Sequence, residues 1–188
     1  MKRIIVGVTG ASGVVMARFL LQALRDACCE THLVMTDAAR ETWAYEVGTP
    51  VDALYSLSDA VYSPNDMAAV ISSGSFVTDG MVVMPCSMKT LAGIVSGYAD
   101  NLLLRAADVC LKEGRRLVLC PRETPLGRVH LRNLLSASEL GCTIVPPMLT
   151  FYNSPHTLED QIRHIVGKAL LPFDIQSPDF KPWTGTHT

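Results

Sequence analysis

The sequence predicts an α/β protein with a doubly wound, mainly parallel sheet, and three observations carry that prediction. The glycine-rich string Gly7-Val8-Thr9-Gly10-Ala11-Ser12-Gly13 follows the apolar run Arg3-Ile4-Ile5-Val6 and opens an amphipathic stretch, so strand, tight loop and helix follow one another. Short β-branched runs then alternate with longer amphipathic segments along most of the chain. Finally, Met81-Val82-Val83-Met84 and Leu117-Val118-Leu119-Cys120 are apolar at every position, as suits strands covered by helices on both faces. The expected architecture is a Rossmann-like or flavodoxin-like sandwich of three layers.

Taken in order, the pattern gives a strand over 3–8, a helix over 14–27, a strand over 31–36 and a helix over 38–47. Between 48 and 79 it dissolves into Gly, Pro, Ser and Asp, leaving one short strand near Val61-Tyr62 and one short helix over 66–71. It resumes with a strand over 80–84, helices over 88–97 and 101–113, and a strand over 116–120. A helix over 128–140, a strand over 142–145 and a helix over 157–171 complete it. Beyond Leu171, the prolines Pro172, Pro178 and Pro182 make the tail too irregular for a core element and suit it to lie across a neighbouring surface.

Bulk properties narrow the function. With 188 residues, 48% hydrophobic and 18% charged, the chain suits one domain over 1–188, with 172–188 as a tail for oligomer contacts. Sixteen basic against eighteen acidic residues offer neither a nucleic-acid surface nor a polybasic membrane anchor. No apolar run approaches the ~18 residues of a membrane span, and Met1-Lys2-Arg3 opens directly into a strand, so a cytoplasmic protein is expected. Six cysteines (Cys28, Cys29, Cys86, Cys110, Cys120 and Cys142) form no C-x-x-C pair and read as reduced, mostly buried thiols. The histidines (His32, His130, His156, His164, His187) show no metal-ligand spacing, and neither zinc nor a Ser/His/Asp arrangement is expected.

In such sheets ligands bind beyond the carboxyl ends of the strands, and the polar clusters follow strands. Residues 9–13 follow the first, Thr36-Asp37 the second, Pro85-Cys86-Ser87-Met88-Lys89-Thr90 the strand at 80–84, and Pro121-Arg122-Glu123-Thr124-Pro125 the strand at 116–120. The 9–13 loop reads as a phosphate cradle: glycine admits close approach of backbone, and a helix start offers free N–H groups with partial positive charge. Its glycines at 7, 10 and 13 do not match the G-x-G-x-x-G dinucleotide spacing. Ser87, at a helix start with Thr90 in the first turn, is either an ordinary cap or part of a second anion site. Asp37 stands where a dinucleotide enzyme keeps its ribose acid, although Asp37 or Thr36 equally suits a cap.

Other polar residues carry paired readings. Arg122 suits a phosphate fork and Glu123 an acid or base, or the two form a surface ion pair. Arg105 and Lys112 share one face of the 101–113 helix, for phosphate or simply for solvent. Glu46, beside Trp43 and Tyr45, is either a proton-transfer candidate with a raised pKa or an exposed acid.

Four strings in order, Gly7 through Gly13, Pro85-Cys86-Ser87-Met88-Lys89-Thr90-Leu91-Ala92, Asn101-Leu102-Leu103-Leu104-Arg105-Ala106-Ala107-Asp108-Val109 and Pro121-Arg122-Glu123-Thr124-Pro125-Leu126, closely resemble the UbiX/Pad family of flavin prenyltransferases, in particular its bacterial branch linked with phenolic-acid decarboxylation. Phe151-Tyr152 and the late Trp183 extend the likeness nearly end to end. The resemblance implies FMN as cofactor and transfer of a dimethylallyl group from dimethylallyl monophosphate to reduced FMN, at N5 and C6. The prenylated FMN would serve a UbiD-type decarboxylase.

By the same resemblance Gly10, Ala11, Ser12, Thr36, Ser87, Met88, Lys89, Thr90 and Arg122 hold the flavin, and Tyr152 and Lys168 meet the allylic phosphate. Some relatives carry arginine at position 168, so the charge survives here without the bidentate fork. Arg105 and Lys112 would stabilise phosphate charge without a metal, Trp183 would offer a π face to an allyl cation, and Ser12, Glu46 and Glu123 would handle protons. A homododecamer with sites between subunits is also implied. Two alternatives share the fold: an FMN-dependent cysteine decarboxylase, disfavoured because no histidine lies between His32 and His130, and a non-catalytic flavin-binding subunit of a decarboxylase.

Overall fold

The computed structural model describes residues 1–185; the end of the tail, with His187, lies outside the described residues. Six strands form one sheet: β1 (Arg3–Val8), β2 (Glu30–Met35), β3 (Ala60–Tyr62), β4 (Gly80–Cys86), β5 (Arg116–Pro121) and β6 (Thr143–Ile144). Their order is β3-β2-β1-β4-β5-β6, and every pairing is parallel. The chain runs outward from β1 to β3, then returns to place β4 on the other side of β1. This reversal is the topological switch point of a doubly wound sheet, where a crevice opens.

Side chains alternate across the sheet, and both sets are apolar. Ile4, Val6, Val8, Val82, Met84, Val118 and Cys120 enter a core shared with α1 (Met16–Asp26), α2 (Asp37–Glu46) and α7 (Leu158–Leu170). Ile5, Met81, Val83, Leu117 and Leu119 enter a second core beneath α4 (Met88–Ser96), α5 (Leu102–Lys112) and α6 (Arg128–Glu139). Uniformly apolar strands are thus the direct consequence of two helical layers.

Differences from the expected elements are local. The first helix begins at Met16, because residues 13–15 form turns in which the Met16 N–H reaches the Gly13 carbonyl at 3.0 Å. The expected helix over 66–71 is reduced to a 3-10 turn at Val70–Ser72; the Asp66 carboxylate accepts the Ala68 N–H at 3.2 Å, a local bond that competes with helix. A four-residue helix, α3 (Asp52–Tyr55), was not expected, and the last strand shrinks to two residues. The tail also enters the core: Phe173 and Ile175 are buried, and Phe180 packs against Gly167 of α7. All six cysteines are free thiols, five of them buried. Burial pushes Cys86 and Cys110 up to about 12 and Cys142 to about 11, so these thiols stay protonated.

Candidate active site

A cleft of about 370 Å³ opens at the carboxyl ends of β1 and β4, at the switch point. Thr9 holds it together. Its buried hydroxyl donates to the Pro85 carbonyl at 2.8 Å and accepts the Ser87 N–H at 2.8 Å, joining the loops after β1 and β4. Three helices begin at this cleft, each with a side-chain cap. Thr36 accepts from the Ala39 N–H at 3.2 Å, Ser87 from Thr90 N–H at 3.3 Å, and Asn101 from Leu104 N–H at 3.0 Å. Thr36, and not Asp37, is therefore the cap of α2; Asp37 pairs with Arg40 one turn on. Caps satisfy one donor each, so the remaining first-turn N–H groups, those of Met88 and Lys89 among them, have no intrahelical acceptor. Their dipoles favour an anion.

Gly10 lines the same cleft and has no room for a side chain: a Cβ there would lie 2.5 Å from the Cβ of Ala38. Gly13 has φ +95°, a left-handed conformation that L side chains rarely adopt. Glu46, at the end of α2, reaches this turn, its carboxylate accepting the N–H groups of Gly13 at 2.8 Å and Val14 at 3.2 Å. Ser12 is exposed between them.

The expected site residues thus fall into groups. Gly10, Thr36, Ser87, Lys89 and Thr90 line the cleft, together with Asn65, Asp100 and Asn101, which sequence reasoning did not assign to it. The capping position of Asn101 before Leu102-Leu103-Leu104 was the available signal. Ala11 and Met88 adjoin these in the chain. Arg122 follows β5 with its N–H on the Cys86 carbonyl at 3.1 Å, which sets it beside Ser87; its side chain is exposed. Glu123, also exposed, accepts the Thr124 N–H at 2.8 Å.

A second group forms a corner between α7 and the tail. Tyr152 meets Trp183 edge-on at 5.6 Å between ring centroids, and its hydroxyl lies 3.1 Å from Nε2 of His164, one helical turn before the exposed Lys168. Arg105 and Lys112 join neither group within the protomer. Arg105 bonds the Ser72 carbonyl at 3.1 Å and Asp108 at 2.7 Å; Lys112, at the far end of α5 from the cleft, pairs with Glu113. His32 is enclosed by Tyr62, Glu30 and Phe76. No cluster of metal-ligating side chains occurs among the described residues, and no described helix is long and apolar enough to cross a membrane.

The all-parallel sheet with an anion-ready switch point defines a doubly wound nucleotide-type binding protein. The sequence matches the flavoprotein family over residues 1–168. It is 55% identical over 185 residues to the probable UbiX-like flavin prenyltransferase of Sedimentibacter hydroxybenzoicus, covering 98% of each chain. The solved structure of AnUbiX (PadA1) in complex with FMN and dimethylallyl pyrophosphate has a TM-score of 0.96 at 49% identity, over 99% of both chains. A dodecameric FMN-dependent UbiX-like decarboxylase from Escherichia coli O157:H7 has a TM-score of 0.94 at 52% identity, over 97% of this chain and 100% of that one. The chain belongs to the flavoprotein family, in its UbiX-like flavin prenyltransferase branch.

Proposed function

We propose that this protein is a flavin prenyltransferase that joins the dimethylallyl group of dimethylallyl monophosphate to reduced FMN. The observation that carries this reading is the cleft where three capped helices begin with their free N–H groups turned to one opening; the corner of Tyr152 and Trp183, with Lys168 on α7, is assigned to the second anion. The cleft suits FMN. Its volume lies within the roughly 300–1,000 Å³ of small-ligand sites, Gly10 keeps the cradle open, and the first turns of α2, α4 and α5 supply fixed donors.

Gly10, Ala11, Ser12, Thr36, Ser87, Met88, Lys89, Thr90 and Arg122 hold the flavin, and when bound in reduced form it supplies the nucleophilic N5 and C6. Tyr152 donates to the allylic phosphate while Lys168 supplies a point charge. Trp183, stacked edge-on against Tyr152, presents its π face to positive charge on the allyl group. Glu46 holds the turn that carries Ser12, and with Glu123 these residues handle protons around the departing phosphate.

Arg105 and Lys112 act on phosphate from a neighbouring subunit. The exposed apolar side chains Val129, Leu131 and Leu135 on α6, with Met148, Leu149 and Phe151, suit such an assembly, and a related structure is dodecameric. The surface part of the tail beyond Ile175, within the described residues, adds contacts there. The product passes to a UbiD-type decarboxylase, and the protonated thiols suit a reducing cytoplasm.

The test is anaerobic incubation of the reduced FMN complex with dimethylallyl monophosphate or, in parallel, the pyrophosphate. Mass spectrometry is expected to find flavin heavier by one five-carbon unit, and unmodified flavin with both donors would overturn the proposal.

A further inference from the structure

Behind Tyr152 lies a histidine with no role in the reaction as described so far. His164, in the middle of α7, is 3% exposed. Its ring stacks on Phe180, 4.8 Å between centroids and 24° between planes, and Tyr152 meets it edge-on at 5.6 Å. Nε2 is 3.1 Å from the Tyr152 hydroxyl, whereas Nδ1 is buried without a hydrogen-bond partner among the described residues. A neutral imidazole has one N–H and one lone pair. A hydrogen on Nδ1 would bury an unpaired donor; on Nε2 it finds the phenol oxygen and leaves only a lone pair unmet, the more tolerated orphan in folded proteins. Donation from Nε2 occupies the phenol oxygen as acceptor and frees the phenol hydrogen to point elsewhere.

We propose that His164 is a positioning residue, donating from Nε2 to Tyr152 so that the phenol O–H is directed at the phosphate of the allylic substrate. The inference rests on the reading that Tyr152 and Lys168 receive that phosphate. Lys168 stands four residues beyond His164 and therefore on the same helix face, so the buried ring neighbours both side chains assigned to that phosphate. Burial, and then the Lys168 charge, hold the imidazole below its usual pKa of 6.5 and keep it neutral near pH 7. Among the described residues, Lys168 on α7 and Tyr152 from the preceding loop are the ionisable groups facing it; Phe180 and Trp183 of the tail bring none.

The test compares H164F, H164Q, Y152F and the double variant H164F/Y152F in the anaerobic prenylation assay, reading KM for dimethylallyl monophosphate separately from kcat and from FMN affinity. Phe keeps the ring and its stacking without a donor, and Gln restores an N–H. H164F is expected to raise KM about 3- to 10-fold, the size of one neutral hydrogen bond, with FMN affinity unchanged. H164Q returns KM to within about twofold of the parent, and the double variant is no worse than Y152F alone. An unchanged KM in H164F beside a raised KM in Y152F would overturn the role of His164 alone. So would an H164Q as impaired as H164F, or a loss of FMN affinity equal to the rise in KM. An unchanged KM in Y152F would overturn the phosphate reading and the proposal with it.

Discussion

The Thr9 hydroxyl stands between the Pro85 carbonyl and the Ser87 N–H, 2.8 Å from each, and so ties the loop after β1 to the start of α4. Replacing it by valine keeps the shape and leaves the Ser87 N–H without its acceptor in a half-buried position. Thr9→Val is expected to lower unfolding stability by about 1–3 kcal/mol, with weaker FMN binding, while Thr9→Ser retains most of both. Urea unfolding and flavin titration measure the two effects.

Gly10→Ala places a methyl group 2.5 Å from the Ala38 side chain, a separation that forces the cradle and the start of α2 apart. The variant is expected to fold, because the contact lies on the rim and outside both cores, and to purify with much less flavin. The ratio of absorbance at flavin and protein wavelengths reads the loss directly.

Glu46 tests whether a carboxylate is needed to hold the turn at Gly13. Removing it in Glu46→Ala frees the Gly13 donor at an exposed position and the Val14 donor at a part-buried one, bonds that each contribute about 1 kcal/mol. The expected result is faster amide hydrogen exchange at Gly13 and Val14 with little change in global stability. Glu46→Gln, which keeps one carbonyl oxygen, should recover most of the protection.

Asp160 gives a pH-dependent stability. The His156 and Thr157 backbone N–H groups, each 2.9 Å from its carboxylate, hold Asp160 below the usual carboxylate pKa. A depressed folded pKa means that the stabilisation is present above the unfolded value of about 3.9 and is lost as pH falls through the folded one. Asp160→Asn should therefore melt below the parent at neutral pH, and the two melting curves should converge in acid. A gap that persists at low pH would indicate a different cause.

Much of this architecture is legible in the sequence because burial on two faces leaves an unusually plain mark. Val82-Val83 and Val118-Leu119 must be apolar at consecutive positions, since each pair feeds opposite cores. Capping was readable for the same local reason: Ser87 and Asn101 each precede an apolar helical run. Elements too short to show a period were not readable, as with α3 and the two-residue β6. The residues 66–71 misled, because their helical spacing competes with an Asp66 side-chain turn. At the site, loops after parallel strands had to converge on one rim, but the partners of Arg105 and Tyr152 come from distant or irregular segments. Ser72 lies 33 positions from Arg105, and His164 meets Tyr152 only through the path of a loop without regular structure.

The three helix starts at the cleft have a consequence for how the protein responds to its surroundings. Peptide dipoles carry no proton to gain or lose, so the attraction that Thr36, Ser87 and Asn101 help to organise is constant across the pH range in which the protein is folded. Side chains around the rim can gain or lose protons without switching it off. The recognition of an anion there is written into the direction of the chain itself, which makes it a durable property of this end of the sheet.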